Sequence, residues 1–135
     1  MKGLLSDVNN VKQVRILLML PHEEPRSLFW KHLDLIIPTF ADLGLNPRSK
    51  DSEVWFKCQA EELLLITANR NADGPESLAA TIRMHGTPQS LPVFTLADAN
   101  RVIDERSYAE HVADRLLEYL YDIGNLRGTE RLYLP

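Results

Sequence analysis

Six aliphatic or sulfur-bearing side chains (Val14, Ile16, Leu17, Leu18, Met19, Leu20) surround a single charge, Arg15, before Pro21 ends the run. A run this short and this apolar predicts a central strand buried on both faces. Phe29, Trp30, Leu33, Ile36, Ile37 and Phe40 then recur at helical spacing, with Pro25 near the start, Pro38 as a kink and Gly44 as a stop. Residues 45–49 predict a short strand, and a helix opens near Asp51 with Val54, Trp55 and Cys58 on one side. The aliphatic stretch 63–67 predicts a second buried strand.

Further along, Asp73, Pro75 and Glu76 have the spacing of a capped helix start, with the helix running to about Met84 and ending at Gly86. Residues 91–96 predict a strand with Pro92 near its start, and residues 97–104 one or two helical turns. Ser107 and Glu110 predict a second capping box, opening a long helix striped by Val112, Leu116, Tyr119, Leu120 and Ile123 and closed by Gly124. Residues 131–134 predict an edge strand. Residues 1–10 have no sustained period and end in Asn9 and Asn10, which predicts a loose leader or a short edge element.

Strands that alternate with helices imply an α/β fold, a three-layer α/β/α sandwich with a mostly parallel central sheet, in a single domain over residues 11–135. In such folds the functional crevice lies beyond the carboxyl ends of the strands, where strand order reverses. That rule nominates residues 21–25, 68–74 and 97–100.

Composition narrows the function classes. A chain of 135 residues with 44% hydrophobic and 25% charged residues can bury a core without cross-links. Its one cysteine, Cys58, forms no internal disulfide, which fits a reducing cytoplasmic setting. Fifteen Lys and Arg against nineteen Asp and Glu leave a formal charge of -4, which disfavours nonspecific attraction to a phosphate backbone. The apolar run ending at Leu20 is too short to cross a bilayer, and no basic segment precedes an extended apolar stretch, so neither a membrane span nor an ordinary secretion signal is expected.

The nominated segments carry acids and amides. Glu23 and Glu24 suit either a hard divalent cation or the positive end of the helix that follows. Asp51 and Glu53 suit a helix N-terminus, and gain a further role only if the fold brings them to the crevice. Asn69 and Asn71 leave the strand 63–67 where acids would hold a metal, and turn formation explains them as well. The four histidines lack the spacing of a helical zinc pair, and no serine elbow, phosphate loop or dinucleotide turn is present.

The run 15–20, the helix opening Asp51-Ser52-Glu53-Val54 and the stretch Leu64-Leu65-Ile66-Thr67-Ala68-Asn69-Arg70-Asn71 together resemble the PIN-like proteins. The likeness is to the small stand-alone bacterial PIN-like domains related to toxin-type ribonucleases. It covers about the first two-thirds of the chain. The resemblance implies an α/β/α sandwich with clustered acids that bind Mg²⁺ or Mn²⁺ and activate water against an RNA phosphodiester. Asp51 matches a family acid, Asn69 and Asn71 stand where the family has aspartates, and the first-strand aspartate falls at Met19 or Leu20.

The expectation is therefore a PIN-like domain with a degenerate centre, acting through a protein partner or as a homo-oligomer. The alternative is a Mg²⁺- or Mn²⁺-dependent ribonuclease whose catalytic set is Glu23, Glu24, Asp51, Asn69 and Asn71, with metal held by Glu23, Asp51, Asp73 and Asp98. A small molecule bound at the same crevice is the third reading.

Overall fold

The sheet starts earlier in the chain than the hydrophobic pattern predicts. In the computed structural model, which describes residues 1–20 and 24–135, the first strand is β1 (Gly3–Ser6), with Leu4 and Leu5 wholly buried. The run expected to be the central strand is instead helix α1 (Val11–Met19). A strand would place Leu17 and Met19 on one face; the helix buries Val14 and Leu17, three residues apart, and leaves Met19 73% exposed. Pro21 ends this helix, because the residue before a proline is driven out of the α region, and Leu20 has ψ 135.

Three further expectations change in the same stretch. Helix α2 (Arg26–Leu33) is shorter than the helix predicted from near Pro25 to Gly44, since Asp34 turns left-handed at φ 47 and the chain then extends. Ile36 pairs in parallel with Gly3, its carbonyl accepting from Leu4 N at 3.0 Å. Gly3 is required there, because a Cβ would lie 2.0 Å from the Ile36 carbonyl oxygen. Residues 45–49 form a turn rather than a strand, with Arg48 N donating to Asn46 Oδ1 at 2.8 Å.

The remaining elements are α3 (Asp51–Ala60), β2 (Leu63–Thr67), α4 (Leu78–His85), β3 (Val93–Leu96), α5 (Ala99–Asp104), α6 (Arg106–Tyr121), α7 (Ile123–Leu126) and β4 (Arg131–Leu134). The capping signals shift by a few residues. Ser77, not Asp73, caps α4 by accepting from Ala80 N, and Glu76 pairs with Lys50. Glu105 stands at the N-cap of α6, and Glu110 pairs with Arg106 instead of closing a box with Ser107.

All four strands are parallel in the order β1-β2-β3-β4. The two-residue period of each strand divides the core. Leu4, Leu64, Ile66, Phe94, Leu96 and Leu134 face α1, α5 and α6, and the small Ala109 and Ala113 let α6 lie close to the sheet. Leu5, Leu63, Leu65 and Val93 face α3 and α4, meeting Trp55, Cys58 and Ile82. These are the three layers of an α/β/α sandwich. Ile36 lies outside β1 while β2 lies inside it, so the path from β1 first steps outward and then reverses across the sheet. That reversal puts a switch point between the carboxyl ends of β1 and β2.

Candidate functional site at the strand ends

Asp7 follows directly on β1, and its backbone N–H continues the ladder to Ile66 O at 2.9 Å. Its carboxylate accepts the Thr67 hydroxyl at 2.6 Å on one oxygen and Asn9 N at 3.3 Å on the other, which caps the short 3-10 turn Val8–Asn10. Asn10 is buried, and its side-chain oxygen accepts from Ala68 N at 3.0 Å. The exits of β1 and β2 are thus stitched together by side chains of residues 7 and 10.

Asp51, the first residue of α3, approaches the same place from the other layer. Its Oδ2 accepts from Asn69 Nδ2 at 2.9 Å and from Leu78 N at 3.2 Å. The orientation of the Asn69 amide follows from its neighbours: Asn71 N donates to Asn69 Oδ1 at 2.8 Å, which leaves the amide nitrogen to face Asp51. Asn71 repeats this turn by accepting from Asp73 N at 2.9 Å. Asp7, Asn9, Ser49, Asp51 and Asn69 line one small crevice of about 140 Å³, room for a few waters.

Two arginines lie near the exit of β2. Arg131 donates to Asn69 O at 2.8 Å and to Thr95 Oγ1 at 2.7 Å, and its burial pushes its pKa down. Arg70 donates to Ala97 O at 2.7 Å and lies 5.4 Å from the centre of the Tyr133 ring.

The candidate residues of the sequence therefore separate. Asp51 and Asn69 meet at the switch point, with Asn71 in the adjoining turn. Asp98 caps α5 through Arg101 N at 3.2 Å, and Asp73 is exposed on the loop before α4. Glu24 is exposed ahead of α2, and Glu23 lies outside the described residues. Among the described residues, no three His, Cys, Asp or Glu side chains converge on one point. The segment that ends at Met19 and Leu20, expected as the first strand, is a helix; the strand beside β2 is β1, and Asp7 follows it. Asp7 was legible only as an acid after the aliphatic pair Leu4 and Leu5, in a segment too short to show a period.

Compared with protein-family models, curated proteins and solved structures, the chain matches none. Among the described residues no helix is long and apolar enough to cross a membrane.

Proposed function

We propose that this chain is a PIN-like domain whose strand-end centre is held by hydrogen bonds in place of a metal, and that it acts by binding a protein partner or a second copy of itself. The observation that carries this reading is the 2.9 Å bond from the Asn69 amide to Asp51. A metal centre needs carboxylates turned toward a common ion. Here an amide donor satisfies the carboxylate, bringing no negative charge to hold a cation or to accept a proton from its water. A surface for a partner is available on α2, which packs Trp30 and Leu33 against the core and leaves Leu28 exposed and Phe29, in edge contact with Tyr121, about half exposed.

The hydrolytic reading draws support from a different observation: although the run 15–20, one of the segments that carry the resemblance, is a helix, Asp7 follows the strand beside β2 and shares the crevice with Asp51. Mn²⁺ titration by calorimetry, paired with an RNA cleavage assay on the same preparations, separates the two readings. Binding without hydrolysis predicts no saturable Mn²⁺ site and no cleavage that responds to Asp7→Asn or Asp51→Asn. Cleavage by the native chain that both substitutions remove would overturn it. Sedimentation of native and Phe29→Glu protein tests self-association through α2.

A further inference from the structure

A cavity larger than the strand-end crevice adjoins it. It lies between α1 and the extended stretch 37–47, has a volume of about 630 Å³, and is lined chiefly by apolar side chains. Val11, Leu18 and Met19 form one wall, and Ile37, Phe40 and Leu45 form the other. Helix α1 is accordingly apolar over a wide face. Leu17 packs into the sheet core, Val14 and Leu18 meet both the core and the cleft, and Val11 and Met19 extend the apolar surface at helical spacing toward the cleft. A helix of the outer layer has no structural need for so wide an apolar face, and Met19 is 73% exposed.

Among the described residues, Arg15 is the single charged side chain that lines the cleft, and no ion pair with it occurs. It sits on the cleft side, four residues after Val11 and four before Met19. A cation at the mouth of an apolar cleft, on a chain whose formal charge is -4, matches an anionic head joined to an apolar tail. The volume falls within the roughly 300–1,000 Å³ typical of small-molecule sites. With nine residues, α1 is only about 13 Å long, so it offers a partner protein little of the roughly 800 Å² per side that a stable interface covers.

From these observations we infer that the cleft between α1 and residues 37–47 binds a small amphipathic carboxylate, with its apolar tail between the two walls and its carboxylate on Arg15. This site adjoins the strand-end crevice, and the inference stands whether or not that crevice is catalytic. Val8, Phe40 and Pro47 line both.

The test is calorimetric titration with decanoate and with decanol, using the native chain, Arg15→Gln and Val11→Trp. Both substitutions are at exposed positions, and circular dichroism verifies the fold. Saturable binding of decanoate is expected, at least tenfold weaker in Arg15→Gln, with decanol bound by the native chain about as weakly. Val11→Trp fills the cleft and should abolish binding of both. Absence of saturable decanoate binding to the native chain overturns the proposal. So does binding that survives Val11→Trp unchanged, since the ligand would then sit elsewhere. Equal affinity for decanoate and decanol, unaffected by Arg15→Gln, refutes the anionic class.

Discussion

Replacing Asn69 by aspartate turns the amide–carboxylate bond at the strand ends into a pair of facing carboxylates. Two unit charges about 4 Å apart repel by about 4 kcal/mol at an effective dielectric of about 20, and by about 1 kcal/mol in water. The site is partly buried, so the cost lies between those limits, and the lost charge-assisted hydrogen bond adds about 1.5–3 kcal/mol. Asn69→Asp is expected to destabilise the fold by about 2.5–7 kcal/mol at pH 7. Repulsion raises the folded-state pKa of the new carboxylate above its unfolded value near about 4, so the deficit is full above the raised pKa and vanishes as pH falls below the unfolded one. A divalent cation should relieve it as well: Mn²⁺ at a hundred times its dissociation constant returns about 2.7 kcal/mol. Urea unfolding at pH 7 and pH 4, with and without Mn²⁺, measures each quantity. Native-like stability at pH 7 together with no response to Mn²⁺ would refute the argument, because residues 51 and 69 would then not be in contact.

Leu17→Ala should cost about 2–5 kcal/mol, whereas Met19→Ala at an exposed site should stay within about 0.5 kcal/mol; similar losses at both positions would mean that the segment is a strand. Burial pushes the Cys58 thiol up to about 12, so a thiol reagent at pH 8 should label it only as fast as the fold opens, and rapid labelling of native protein would contradict its placement between α3 and the sheet. Arg127, which donates to Glu62 at 2.9 Å, holds that carboxylate below its ordinary 4.5. Its contribution is therefore intact above pH 4.5 and lost as pH falls through the lowered value, and carbon-detected NMR titration of native and Arg127→Gln protein should show the Glu62 midpoint rise in the variant. Gly3→Ala drives a Cβ into the Ile36 backbone and is expected to lower the melting temperature by several degrees, where an ordinary surface glycine such as Gly124 would tolerate the change.

Local chemistry in the sequence determined much of the architecture. The β-rich run 63–67, the strand before Ala97, the stripe of α6 and the alternation of elements lead to a covered parallel sheet, because buried strands and amphipathic helices leave different periods in the chain. Asn69 and Asp51 were also readable as polar residues at a strand exit and a helix start. Tertiary packing decided the rest. A seven-residue apolar run suits a buried strand or a helix with a wide apolar face equally well, and only the competition for a place beside β2 settled it: Leu4 and Leu5 take that place, and the run at 14–20 coils over Leu4. That outcome also decided that Asp7 is the acid at the exit of β1. Four residues are too few to display a period, so Asp7 acquires its position, and its hydroxyl partner Thr67, from the register of the sheet rather than from its neighbours in the chain.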